Sequence, residues 1–423
     1  MLDDKAAIST FLHFGYLPSP DVRLPVWLVD RSDRQRRPGD ADRVDLSSWI
    51  AEGVGVLKRV FQDSVGGPAM AHVVPLSGGL DSRAILGGLL ENLETREIRA
   101  VTFGSPGTWD YEIGRDVARA ASVRWEAIDL SSEDWRWEIA PLVKTAKRLE
   151  RPIGLFDTHV NHQVPERFGA GNVYWSGFMG DPLSGSHLPH RDSATWGEAQ
   201  EHFVRGNRFC RSVDLLPPDF EPRRCLPPSP LSGGEDLCYD EQLDFAVRQQ
   251  CLIRHIVFPK GYEYRTPFLH PAWVSFILSV PRRYREGQYL YEEILKAAYA
   301  RLFALPAKNN LGLPLNAAPW RKGARLLGLG ARGLARRIAP SLFCSISPGL
   351  NYIDFDRDIR RRPDLRATIG ASLQDLRRRG LVDWINLESI WQRHQHGQGN
   401  HADALMLLAS LEIHLKAQGE TGP

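Results

Sequence analysis

Residues 72–90 constrain this chain most: His72-Val-Val-Pro-Leu76 is an apolar strand, Ser77-Gly-Gly-Leu-Asp-Ser82 a turn, and Arg83 to Leu90 the start of an apolar helix. A strand feeding a helix through a glycine-rich turn is one half of a parallel α/β unit. Gly78 and Gly79 carry no Cβ, so the backbone there can approach a polyphosphate closely. The first N–H groups of the following helix lack intrahelical partners and favour an anion. Ser77 and Ser82 add hydroxyl donors, and Asp81 is a hard oxygen ligand suited to Mg²⁺ held against phosphates. The lysine-bearing phosphate loop is absent, so this is a different nucleotide device. On its own, the turn also fits a tight connection whose aspartate caps the helix.

The chain of 423 residues is longer than one compact core usually holds, and two or three subdomains are expected. A net charge of +2 gives no reason to invoke nucleic acid. No apolar run approaches the roughly 18 residues that span a bilayer, and the acidic N-terminus lacks the layout of a signal peptide. The 5 cysteines (Cys210, Cys225, Cys238, Cys251 and Cys344) form neither a zinc pattern nor a disulfide framework, so the expected compartment is the cytoplasm.

Along the chain, periodicity predicts a helix from Ser47 or Ser48 to Ser64, strand 72–76, helix 82–93, strand 98–103, helix 110–122, strand 124–130 and strand 173–176. This alternation predicts a doubly wound parallel sheet, with ligands at the carboxyl ends of its strands. Residues 31–45 read as a polar loop and 214–236 as a Pro- and Gly-rich loop or lid. From Tyr239 the pattern turns helical, over 240–257, 271–279 and 288–303.

Four segments in order carry a resemblance: Ser77-Gly-Gly-Leu-Asp-Ser82, Thr102-Phe-Gly-Ser-Pro-Gly-Thr-Trp-Asp110, Ser176-Gly-Phe-Met-Gly-Asp181, and Glu263-Tyr-Arg-Thr-Pro-Phe-Leu269 followed by Lys308. Together they resemble the synthetase domain of the asparagine synthetase family, which includes β-lactam synthetases and lasso-peptide cyclases. The likeness covers roughly residues 50–320. It implies a sheet of the adenine nucleotide alpha hydrolase-like (PP-loop) type, with residues 1–45 as a linker remnant, 46–320 as the ATP-binding domain and 321–423 as a helical extension. It also implies ATP and Mg²⁺ as cofactors, adenylation of a carboxylate with release of pyrophosphate, and attack by ammonia or an amine.

By this resemblance Leu76, Ser77, Gly78, Gly79, Asp81, Ser82, Thr102, Phe103, Gly104 and Gly180 contact ATP. Asp81 and Asp181 hold the metal, Lys308 offsets charge in the adenylation transition state, and Glu263 takes a proton from the attacking amine. Blander readings stand beside these. Asp181 fits an ordinary turn aspartate, Asp110 a helix cap, and Glu263 with Arg265 a surface pair of little worth. His159/His162 and His187/His190 read as core or surface histidines rather than zinc ligands. The basic run Arg321 to Arg337 reads as a helix with a solvated cationic face.

The sequence departs from the family at several points. Leu stands at residue 2 and no cysteine precedes Cys210, so a glutaminase domain is not expected. Pro182, Arg83 and His270 stand where the family often has Glu, Ser and Asp. The expected partners are therefore a small-molecule or peptide carboxylate, with a separate glutaminase or a precursor peptide, but no nucleic acid and no membrane span. A lasso-peptide-type macrolactam cyclase is the alternative. A tRNA-modifying PP-loop enzyme and a non-catalytic ATP-binding homologue rank lower.

Overall fold

The computed structural model describes Leu2 and residues 4–29, 44–67, 69–338 and 347–419. Most of the polar stretch 31–45 and all of Cys344 lie outside these. Five parallel strands form the central sheet: β1 (His72–Pro75), β2 (Ile98–Gly104), β3 (Arg124–Asp129), β4 (Val173–Trp175) and β5 (Glu263–Arg265). Their order across the sheet is β3-β2-β1-β4-β5. The chain thus winds one way from β1 to β3, returns to β4 on the other side of β1, and reverses direction between β1 and β4. Such a reversal leaves a crevice at the strands' carboxyl ends.

Side-chain alternation explains the layers. Val74, Ala100, Val173 and Trp175 enter one core, while Val73, Val101 and Tyr174 enter the other. The first core is covered by α1 (Leu46–Ser64), α2 (Asp81–Asn92) and α3 (Trp109–Ala120), through Leu57, Phe61, Ile85, Leu89, Ile113 and Val117. The second is covered by α4 (Ile139–Arg148) and α5 (Leu155–Phe168), with α6 (Pro363–Arg379) and α7 (Ala402–Gly419) behind them. Helix α7 is apolar almost all round, as a helix buried between layers must be. The C-terminal helices expected as an extension therefore share one core with the chain between β3 and β4.

Local signals explain the boundaries. Asp45 caps α1 through an Oδ1 that accepts from the Ser48 N–H at 2.7 Å. His270 caps the helix Pro271–Ser279 by accepting from the Ala272 N–H. The stretch 240–257 is helical, but Asp244–Ile253 is wound as a π-helix. Residues 214–236 are pinned to neighbouring segments: Pro227 O accepts from Trp196 Nε1 and Gln200 Nε2 of one helix, and Leu215 O from Trp384 Nε1 of a turn. Among the described residues no helix is long and apolar enough to cross a membrane.

Candidate active site

The loops after β1 and β4 meet at the point where the sheet reverses. The Asp181 N–H donates to Asp81 Oδ2 at 3.0 Å, and Tyr291 Oη donates to Asp81 Oδ1 at 2.8 Å. Gln288 Nε2 donates to Asp181 Oδ1 at 2.9 Å. Burial, and then the neighbouring Asp181, push the Asp81 carboxyl well above its usual range, against the hydrogen bonds from Tyr291 and the Asp181 amide. The two acids are thus joined by the amide of one on the carboxylate of the other, where the loops of neighbouring strands meet. Gly180 makes the approach possible, because a Cβ there would lie 2.5 Å from Asp81 Cγ. Among the described residues no third His, Cys, Asp or Glu joins this pair.

The Ser77 loop is closed on itself. Ser77 N donates to Ser82 Oγ at 3.2 Å and Gly79 N to Ser77 Oγ at 3.2 Å. Gly78 N donates to Asp110 Oδ1 at 3.0 Å, so an incoming phosphate at these amides must displace internal acceptors. What remains open is the first turn of α2, whose N-cap, Leu80, offers no side-chain acceptor. Asp110 sits inside the first turn of α3 and does not act as its cap, Thr108 holding that position. Its other oxygen accepts from Lys308 Nζ at 2.5 Å, and the same Nζ donates to Asn351 Oδ1 at 2.5 Å. Lys308 N donates to Gly78 O at 2.8 Å, so the lysine is bonded to the loop itself. A Cβ on Gly78 would come within 3.1 Å of Lys308 Cβ.

At the head of β2, Thr102 Oγ1 donates to Leu76 O at 2.8 Å, tying the two strand ends together. Phe103 stacks on Tyr352 with centroids 6.1 Å apart and planes 4° from parallel. Gly104 follows, its α-carbon side facing the carbonyl of Asn351. Leu76, Ser77, Gly78, Gly79, Asp81, Ser82, Thr102, Phe103, Gly104, Gly180, Asp181 and Lys308 thus share one end of the sheet.

Glu263 does not join them. It pairs with Val173, which pairs with His72, and so stands at the amino end of the sheet. Leu76 lies four residues further along β1, about 13 Å at the usual strand rise. The Glu263 carboxylate is half-exposed and bonded to Arg265 at 2.6 Å, while Arg265 also donates to Ser64 O and Gly66 O. This is the surface pair, and the general-base expectation for Glu263 is corrected accordingly.

No protein-family model matches this chain, and no curated protein matches it. The reading of the site therefore rests on its residues.

Several contributors carried no signal in the sequence. Tyr291 and Gln288 reach the two aspartates from more than 100 residues downstream. Arg83 is fully buried, and its guanidinium donates to Leu302 O, Leu305 O and Pro306 O over the Phe303 ring. Desolvation lowers its pKa to about 10. Those carbonyls end the segment that delivers Lys308, so Arg83 fixes the lysine's loop. The histidine pairs part ways: His159 Nδ1 bonds Thr145 and His162 Nε2 bonds His255 O in the interior, while His187 meets Asp244 and His190 meets Glu286.

Proposed function

We propose that this chain is an ATP-dependent amide-forming enzyme that activates a carboxylate as its acyl-adenylate, on a sheet of the PP-loop type. The observation that carries the reading is the meeting of Asp81 and Asp181 where the sheet reverses, beside the Ser77 loop and Lys308. A carboxylate is inert toward amines because oxide is a poor leaving group, and AMP removes that obstacle. In the first half-reaction a carboxylate oxygen of the substrate bonds the α-phosphorus of ATP and the bond to pyrophosphate breaks. In the second, the amine nitrogen bonds the acyl carbon, AMP leaves, and the nitrogen sheds a proton.

Asp81 and Asp181 would hold Mg²⁺, which offsets negative charge on the leaving pyrophosphate. Lys308 supplies a fixed positive charge to the pentavalent phosphorus once Asp110 and Asn351 share it with the nucleotide. Thr102, Phe103 and Gly104, at the adjoining strand end, would contact the base and ribose. Tyr291 and Gln288 orient the two carboxylates.

The test is AMP and pyrophosphate release from ATP and Mg²⁺ over a panel of carboxylates, with and without ammonium. One carboxylate eliciting both products names the substrate, and ammonium dependence of the amide names the nitrogen donor. ADP in place of AMP, or no ATP binding, defeats the reading.

A further inference from the structure

The basic run beginning at Arg321 does form a helix, Pro319–Ile338, but over residues 319–331 its sides are turned opposite to a solvated cationic face. Lys322, Arg325 and Leu329 are the half-buried positions, so the side they share faces the protein. There Arg325 Nε donates to Leu311 O at 3.3 Å, and the charge of Lys322 acts on Glu292. Trp320, Ala324, Leu327 and Ala331, at the spacing of one helix face, are exposed on the other side. Trp320 is 73 % exposed, Leu326 56 % and Leu327 78 %. With the glycines between them, these residues leave about half of the helix circumference uncharged and open. A surface helix of a globular protein ordinarily does the reverse, with its apolar stripe inward and its charges outward.

Charge selects what covers such a face. The helix carries Arg321, Lys322, Arg325, Arg332, Arg336 and Arg337 and no acidic residue, in a chain whose net charge is only +2. Two copies packed face to face would bring these like charges together, which opposes a dimer. A partner helix seats on a narrow seam, whereas the open side here is broad, as suits a lipid interface. Trp and Leu fit the boundary between headgroups and acyl chains, and the exposed Arg321 at its edge can reach lipid phosphates. No described helix can cross a bilayer, so this one would lie along the surface. We infer that residues 319–331 dock this protein on an anionic phospholipid surface. The segment leaves the fold at Lys308 and rejoins it at Asn351, whose side chains bond each other, and Trp109 N donates to Pro348 O at 2.7 Å. Both of its ends are thus fixed at the candidate site, and docking holds that site close to the lipid. The inference does not depend on the adenylation reading.

The experiment is flotation of the full chain with vesicles of phosphatidylcholine, alone or mixed with phosphatidylglycerol, at low and at high salt. The wild type should partition at least about tenfold better onto the anionic vesicles, and high salt should erase most of that preference. W320S/L327S should weaken binding about tenfold or more, through lost apolar burial. R321Q should weaken it about fivefold, the scale of one cation at an anionic surface. All three side chains are exposed, so thermal melts should match the wild type. Brominated acyl chains should quench tryptophan fluorescence in the wild type, and W320F should lose that quenching. Equal partition onto both vesicles, binding that survives W320S/L327S, or quenching that survives W320F overturns the docking. Absence of vesicle binding overturns it too. If the wild type then sediments as a dimer that W320S/L327S dissolves, a second copy covers the face; if it binds a synthetic acidic amphipathic helix, a protein partner does.

Discussion

The Asp181 N–H bonds the Asp81 carboxylate at 3.0 Å across 100 residues of chain, joining the loops of two strands that neighbour each other only because the sheet reverses between them. The bond orients one acid by the backbone of the other. Asp81→Asn and Asp181→Asn should each lower ATP consumption by at least ~100-fold, the scale of losing one preorganised electrostatic contact. Pyrophosphate release checks the rate and a thermal melt the fold. Unchanged turnover in the Asp181 variant would overturn the metal role proposed for it.

Gly180→Ala would set a Cβ 2.5 Å from Asp81 Cγ, a separation the two loops can meet only by moving apart. The expected cost is about 1–3 kcal/mol of stability, with loss of ATP turnover. Gly206, whose Cβ would meet nothing within 4 Å, serves as the control at the end of its helix. Urea unfolding of both variants decides whether contact or helix propensity is responsible.

Arg83→Met keeps the length of the side chain but strips three carbonyls of their donor. Leaving buried carbonyls unpaired should cost about 3 kcal/mol or more. Protease cleavage within 302–312 should then accelerate ahead of cleavage elsewhere, because that segment loses its anchor while the sheet does not. Uniform acceleration across the chain would show a general loss of stability instead.

Glu263→Gln should be nearly silent. Its pair with Arg265 is solvent-exposed and worth about 1 kcal/mol at most. Amide formation within twofold of wild type is the expected kinetic result. A selective fall in amide formation, with adenylation intact, would bring Glu263 back to the chemistry.

Acid should destabilise the fold through its interior histidines. Burial lowers His159, His394 and His414 to about 4, against 6.5 for the free side chain. The unfolded chain therefore binds more protons between these values. The stability held above pH 6.5 falls as the pH drops through this window. Urea midpoints from pH 7 to 4 should fall, and His414→Gln should flatten the slope. A variant with the wild-type slope would show that His414 is already protonated in the fold.

Much of this site is visible before any fold is known. The Ser77 loop stands out as a glycine-rich turn between an apolar strand and an apolar helix, and strand periodicity alone places it at the strand's carboxyl end. Lys308 and Asp181 are visible only as part of an ordered set of motifs, since a lysine in a loop or an aspartate after a glycine is common anywhere. Glu263 shows the limit: the sequence pattern named no strand there, and only pairing with Val173 shows that it stands at the amino end of the sheet, away from the Ser77 loop.

The sequence by itself determined much of the local order: the first four strands, the helices beside the first two, and the turn that lacks Cβ atoms, but neither the short strand Glu263–Arg265 nor the helices Ile139–Arg148 and Leu155–Phe168. These follow from short-range sterics and from the spacing of apolar residues. Only the tertiary structure decided which distant groups meet. The pairing of β1 with β4 brings Asp181 to Asp81, and the return of the C-terminal chain sets Tyr352 against Phe103. Those meetings depend on how whole layers bury their faces against one sheet, a condition that no single stretch of sequence contains.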